Sequence, residues 1–245
     1  MLTVILDFSR GGGYNRCMRR KLHTIMNTPD LPSGFTELEY MQSSGAQYII
    51  VPEEFKLGAD SPSSGAQVKL YLHDAKLFNP LWGFEPFVSP VVGNSALYIG
   101  RGSDTKFSVL IYGKTGIHFP KQAVIWTGYY NFLDSKKMGI ILATGESKEG
   151  DYMVKTWKAS AQFENQCLFG LIKSDGSITK GVARIYEAQF SQGSEITRDL
   201  VPVLDADNTP CMYDKVSRQC FYNTGTGKFG YKIKATGEVV APKST

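Results

Sequence analysis

One short segment, residues 203–231, combines three patterns that could do chemistry: VLDADNTPCMYDKVSRQCFYNTGTGKFGY. The acidic cluster LDADN offers the oxygen ligands that calcium prefers. Cys211 and Cys220 could bind a metal ion or form a disulfide. The sequence GTGK carries the glycines and the lysine of a phosphate-binding loop. The first question is therefore whether this segment is an active site or a series of turns.

The acidic cluster has two carboxylates and an amide, from Asp205, Asp207 and Asn208. It lacks the glycine and the distant glutamate of an EF-hand loop. Loops of β-domains can also bind calcium, so two interpretations stay open, a partial ion site and an Asx-type turn between strands. The pattern favours the turn, and we predict no cofactor and no metal site.

The two cysteines flank a segment that predicts two short strands around a Lys-Val-Ser-Arg turn. Pairing these strands about the turn places Tyr213 opposite Cys220 and Cys211 opposite Tyr222, which offsets the two sulfurs diagonally. We expect free thiols. The four cysteines form no CxxC motif and no cluster with the three histidines, so zinc-ligand spacing is missing.

Two glycine-lysine sequences, YGKTG at 112–116 and GTGKFG at 225–230, lack the context of a nucleotide-binding loop. A P-loop needs a further glycine five residues before Gly113, where Ser108 stands, and a following helix. Both sequences are typical of hairpin turns. Hydrolase motifs are also missing, because the chain has neither a GxSxG nucleophile nor the Glu-x-Asp-x-x-Glu pattern of sandwich-type glucanases.

Aromatic residues are the remaining candidates for a binding site. An aromatic face can stack on a sugar ring while polar neighbours bind its hydroxyl groups. Core packing is the alternative for each of them, because aromatic residues also fill the interior of β-domains. The candidate glycan-binding residues are Trp82, Trp126, Tyr129, Tyr130 and Trp157.

Composition and patterning predict an all-β fold. The chain of 245 residues is 42% hydrophobic and rich in glycine (25), tyrosine (13) and phenylalanine (14). Its apolar runs are short and are broken by glycine, asparagine, aspartate, serine and proline, which favours strands joined by turns. About a dozen such strands without helical periodicity predict a two-sheet antiparallel β-sandwich of the jelly-roll kind.

The ends of the chain differ from this pattern. Residues 1–30 predict an arm made of a strand, a glycine joint and a short basic helix, and TPDLPSG at 28–34 marks its boundary. The predicted domain covers 31–231, and 232–245 form a C-terminal extension. The arm holds five basic residues against two acidic ones, so it carries most of the formal charge of +4.

The rest of the chain is close to neutral, which argues against a nucleic-acid-binding face. The first residues have the wrong order for a secretory signal, and no apolar run reaches the ~20 residues that span a bilayer. We therefore expect a soluble chain without membrane insertion.

Two segments together are similar to a known family. LPSGFTELEYMQSSGAQYI at 31–49 resembles an opening signature LPxGYxxLEYIxSxGxQYI, and the segment 183–231 resembles the matching closing signature with PCMYDKVSRQCFYN. Both resemble concanavalin A-like, laminin-G-like sandwich domains of bacteriophage tail or other virion proteins and of gut-bacterial surface proteins. The sequence departs from that pattern at IVPEEF (50–55), where Asp-Thr-Gly commonly follows.

The resemblance implies a concanavalin A-like fold and implies no shared enzymatic activity. The expected function is a non-enzymatic module of a phage virion, in the tail or as a decoration, or of a bacterial surface assembly. The expected role is attachment to a host-surface glycan or a structural one, with residues 1–30 contacting other subunits. Self-association stays open, and the alternative is a glycan-active hydrolase of the same fold.

Overall fold

The computed structural model describes residues 31–57, 64–71, 79–84, 97–103, 106–111, 115–120, 124–131, 137–151, 161–173 and 175–244. Within these ranges the chain forms strands and turns and no helix. The strands are β1 (Thr36–Gln42), β2 (Ile49–Leu57), β3 (Ser64–Tyr71), β4 (Asn79–Phe84), β5 (Leu97–Ser103), β6 (Lys106–Ile111), β7 (Thr115–Pro120), β8 (Trp126–Asn131), β9 (Lys137–Leu142), β10 (Ser147–Asp151), β11 (Ala161–Leu168), β12 (Gly170–Ile172), β13 (Ile178–Lys180), β14 (Arg184–Gln192), β15 (Glu195–Leu204), β16 (Pro210–Asp214), β17 (Gln219–Phe221), β18 (Gly230–Ile233) and β19 (Val239–Val240).

The strands form two sheets. The large sheet has eleven strands in the order β10-β9-β8-β3-β14-β1-β15-β16-β17, with β18 paired to β1 and β19 paired to β18. The second sheet has eight strands in the order β13-β12-β4-β5-β6-β7, and β11 joins β2 to β4. Among the described pairings, only that of β12 with β4 is parallel. The predicted all-β antiparallel architecture is confirmed, and the jelly-roll arrangement stays a prediction.

Alternation along the strands separates a core face from an opposite face, as period two requires. In β3, Ala66, Val68 and Leu70 are buried, whereas Gln67 and Lys69 between them are half-buried. Residues from both sheets pack in one hydrophobic cluster. We call the other side of the large sheet, which carries Gln67 and Lys69, its outer face.

The two sheets approach each other closely at Gly128 of β8. A Cβ at this position would lie 2.5 Å from Ile99 Cγ2 of β5 and 3.0 Å from Val109 Cγ2 of β6. Because real Cβ atoms do not come so close to other carbons, a larger residue at 128 would push the sheets apart. The neighbouring Trp126 fills the same core and is 0% exposed.

A polar link also joins the sheets. Arg198 of β15 in the large sheet lies 3.1 Å from Glu53 Oε2 and donates from Nη2 to the Pro52 carbonyl at 2.9 Å, both on β2 of the second sheet. Its Nη1 lies 3.3 Å from Oδ2 of the buried Asp214. The guanidinium therefore connects β2 with β15 and β16.

The opening and closing segments of the domain meet at β1. This strand pairs antiparallel with β14 through Met41–Ile185, with β15 through Thr36–Leu204, and with β18 through four residue pairs. The segment 232–240 lies in β18, the following turn and β19, so the predicted C-terminal extension contributes strands to the large sheet. The predicted arm at 1–30 lies outside the described residues.

The sequence GTGKFG forms a close turn against the start of the domain. A Cβ at Gly227, where φ is +72°, would collide with the Lys243 carbonyl oxygen and lie 2.9 Å from Gln47 Nε2. Gln47 Nε2 donates to that same carbonyl at 3.0 Å, and Lys228 and Lys243 exchange backbone hydrogen bonds. The glycines therefore allow two backbones to approach, which is a structural role.

We expect Gly227→Ala to lower the free energy of unfolding more than Gly237→Ala does. Gly237 has φ of +75° with no atom within 4 Å of an added Cβ, so its substitution costs only the backbone strain of about 1–2 kcal/mol. At Gly227 the collision adds ~1–3 kcal/mol. Urea unfolding of both variants measures the difference, and equal losses would contradict the close approach at Gly227.

Candidate functional site

A row of polar and aromatic side chains crosses the outer face of the large sheet. The strand registers place Tyr129 of β8 beside Gln67 of β3, Gln67 beside Gln189 of β14, and Gln189 beside Asp199 of β15. On its other side, Tyr129 pairs with Gly139 of β9. Because directly paired residues point to the same face, these side chains form one continuous row, which we call the polar row.

The side chain of Tyr129 lies over Gly139, and its hydroxyl group forms a hydrogen bond. Its Oη donates to Glu149 Oε2 of β10 at 2.6 Å. A Cβ at Gly139 would lie 2.5 Å from Tyr129 Oη and 2.6 Å from its Cζ, so the side chain uses the space that glycine leaves. Partial burial, and then the hydrogen bond to Glu149, raises the pKa of Tyr129 well above its usual value. The phenol therefore stays protonated and can keep donating to Glu149.

Charged groups beside the polar row are paired within the protein. Lys69 Nζ lies 3.7 Å from Glu187 Oε1 on the neighbouring strand. Asp199 Oδ1 accepts a hydrogen bond from Gln189 Nε2 at 3.0 Å, and its Oδ2 lies 3.5 Å from Lys215 Nζ. Lys69, Lys215 and Asp199 are therefore engaged within the protein, and Glu149 adds a carboxylate at the Tyr129 end of the row.

The three aromatic candidates whose side chains the structure describes do not share one face of the sheet. Trp126 and Tyr130 are core residues at 0% and 2% exposure, as the core-packing alternative predicted for them. Trp82 lies in β4, where its backbone pairs with Ile99, and its side chain is outside the described part. Trp157 lies outside the described residues. Of the five candidates, the structure places Tyr129 on the outer face.

The acidic cluster forms the turn between β15 and β16. Asp205 Oδ1 accepts hydrogen bonds from the backbone of Asp207 at 3.0 Å and of Thr209 at 2.9 Å. Its Oδ2 accepts from Tyr222 Oη at 2.9 Å. The Thr209 amide is the main cause of a lowered pKa at Asp205. The predicted Asx-type turn is confirmed through Oδ1, and Oδ2 accepts a hydrogen bond from outside the turn.

The predicted pairing of the two strands that carry Cys211 and Cys220 is also confirmed, because Tyr213 of β16 pairs directly with Cys220 of β17. Both Cys211 and Cys220 are free thiols and pack in one small cluster on the outer side of β15 and β16. Burial, and then the neighbouring Cys220 thiol, raises the pKa of Cys211. Burial raises the pKa of Cys167 in β11 in the same way.

Several residues of this surface were not identified from the sequence. Gln67, Gln189, Gly139 and Glu149 belong to strands whose alternation indicates which positions share a face. The pairing of distant strands, which brings these positions into one row, is not visible in local patterns. Tyr129 itself was identified as a candidate glycan-binding residue, but the side chains that accompany it in the row were not.

Comparison of the chain with protein-family models, with curated proteins and with solved structures finds no match. Within the described ranges, no helix has the length and apolar character needed to cross a membrane. Those same residues contain no group of three or more histidine, cysteine, aspartate or glutamate side chains placed to hold a metal ion.

We predict that Asp205→Asn destabilises the domain at neutral pH, and that this difference from wild type shrinks below about pH 4. A carboxylate with a lowered pKa stabilises the fold above its unfolded-state pKa, about 3.9, and loses that contribution as the pH falls through its folded-state value. Urea midpoints between pH 3 and 7 measure this difference. Asp207→Asn, an exposed position in the same turn, serves as the control, and an equal pH dependence in both variants would contradict the assignment.

We expect alkylation of the folded protein to modify Cys220 before Cys211 and Cys167. Cys220 is half-buried, whereas the other two are 0% exposed and have raised pKa values, which lowers their thiolate fraction. Trypsin cleaves after Lys215 and Arg218, so mass spectrometry resolves Cys211 from Cys220. Equal modification rates under native conditions would contradict the described burial.

Proposed function

We propose that this chain is a non-enzymatic module of a bacteriophage virion, in the tail or as a decoration, or of a bacterial surface assembly. Its role in this proposal is attachment to a glycan through the outer face of the large sheet. Residues 1–30 contact other subunits of the assembly. The single observation that carries the attachment role is the position of Tyr129.

A ring that is already fixed binds a sugar at a low entropic cost. Tyr129 is held between Gly139 and Glu149, so little side-chain freedom remains to be lost on binding. Carbohydrates present apolar faces as well as hydroxyl groups, and a tyrosine ring beside amide side chains complements both. This arrangement on a rigid sheet supports recognition.

The concanavalin A-like sandwich belongs to the same proposal. The contacts of Gly128 with Ile99 and Val109 support two sheets packed face to face. The pairing of β1 with β14, β15 and β18 supports closure of the domain by its opening and closing signatures. Both observations agree with the sequence resemblance, on which the virion and surface-assembly assignment rests.

We expect Tyr129→Ala to abolish glycan binding by the full chain on a glycan array, because it removes the stacking surface. Tyr129→Phe keeps the ring and loses the hydrogen bond to Glu149, so binding should weaken several-fold. Gly139→Ala keeps all ring atoms but takes the space under them, and it should also weaken binding.

Tyr222→Ala is the matched control, because Tyr222 is 46% exposed and also donates to a carboxylate, that of Asp205. It should retain binding, with unfolding midpoints measured for all variants. No glycan binding by the wild-type chain would favour the purely structural role. Release of reducing ends from bound polysaccharide would instead favour the hydrolase alternative.

A further inference from the structure

We propose that the polar row takes a neutral, extended saccharide chain that lies across the strands, with one sugar on Tyr129 and the next units over Gln67 and Gln189. This inference rests on the proposed glycan attachment and adds the class of the ligand and its direction on the sheet. It follows from the register, from the side-chain chemistry and from the pairing of charges.

The direction of the saccharide chain on the sheet follows from the pairing register of the strands. Tyr129, Gln67, Gln189 and Asp199 are successive direct pairs across β8, β3, β14 and β15. Asp199 is only 4% exposed, so the positions that a ligand can reach are Tyr129, Gln67 and Gln189. Adjacent strands are ~4.8 Å apart, so these three positions span ~10 Å at right angles to the strands. This length exceeds the width of one sugar ring. A ligand that contacts all three side chains is therefore an oligosaccharide or a polysaccharide segment.

Tyr129 marks one end of the row. Its Oη points across Gly139 to Glu149, away from Gln67. The hydroxyl is thus occupied within the protein, and the ring offers mainly its apolar face to a ligand. Stacking at this end would orient the sugar, while polar groups further along the row bind its neighbours.

The amide of Gln67 provides the hydrogen-bonding chemistry next to the ring. Gln67 is half-buried and forms no side-chain hydrogen bond with another described residue. One amide offers both donors and an acceptor, which suits the hydroxyl groups of a sugar. The next residue, Gln189, is held by Asp199 through its Nε2, so its position is also fixed.

Charge pairing indicates a neutral ligand. The cation nearest in register to Gln67 on β3 is Lys69, which pairs with Glu187 across the strands. At the far end, Asp199 is paired with Lys215. An acidic polysaccharide would have to compete with these internal carboxylates for the lysines, and it would also lie close to Glu149 and Asp199. Neutral hydroxyl groups require no such exchange.

The test measures retardation of the full chain in affinity electrophoresis against neutral polysaccharides (galactomannan, mixed-linkage β-glucan, dextran) and acidic ones (alginate, polygalacturonate). We expect retardation by a neutral polysaccharide and roughly fivefold weaker binding for Gln67→Ala, as for one ordinary hydrogen bond. Lys69→Ala, a half-exposed neighbour on the same strand, is the control and should stay within about twofold of wild type. The corresponding monosaccharide should compete with the polysaccharide for the protein much less well than an oligosaccharide of four units does.

The outcomes separate this inference from the attachment role. Binding that depends on Tyr129 but requires an acidic polysaccharide and Lys69 would overturn the neutral-ligand inference and leave attachment standing. Binding that depends on Tyr129 but not on Gln67, or full competition by the monosaccharide, would overturn the extended arrangement. Failure of every polysaccharide to retard the wild-type chain would overturn both.

Discussion

The buried carboxylate of Asp214 is the group on which the arrangement of the two sheets depends. It is 0% exposed, and its Oδ1 accepts hydrogen bonds from the backbone of Asp199 at 2.9 Å and of Val216 at 3.1 Å. Its Oδ2 accepts from Ser217 Oγ at 2.6 Å and lies 3.3 Å from Arg198. One side chain thus shapes the β16–β17 turn, holds β15 and positions the guanidinium that reaches β2. Removing this carboxylate would leave the backbone amides of Asp199 and Val216 without their acceptor, and a buried donor left unsatisfied typically costs ~1–3 kcal/mol.

Several carboxylates of the domain bind donors or cations of the protein itself, as Asp214 does. The carboxylates at 53, 199, 205 and 214 are all engaged by donors or cations of the protein. Around β8 and β3 the outer face carries the ring of Tyr129, the amide of Gln67 and the Lys69–Glu187 ion pair. A rigid sheet supports that ring more firmly than a loop would, because β9 below it and β10 beside it are both paired strands. In the proposed attachment role, an uncharged partner would bind this surface with little rearrangement.

Local features were predictable from the sequence, whereas contacts between distant strands were not. The Asx-type turn at Asp205 and the pairing of Tyr213 with Cys220 depend on a few neighbouring residues, so their types and spacing were sufficient. Tyr129 and Tyr130 are adjacent, and alternation places them on opposite faces without telling which face is buried. The contact of Tyr129 with Glu149 crosses β9, so it appears only once the sheet is assembled. The link from Arg198 to β2 likewise joins strands of different sheets, for which no local pattern exists.

The pairing of β1 with β18 has a consequence for the order of biosynthesis. Met41 pairs with Tyr231, and the other partners of β1 also lie far along the chain. At ~5–20 residues per second, a ribosome needs on the order of 10–40 s to make the segment between them. During that interval β1 is synthesised but lacks these neighbours, and its apolar residues Leu38 and Met41 cannot be buried as they are in the finished fold. The large sheet is completed only after β18 has left the ribosome, so folding of this domain is late and is governed by non-local contacts.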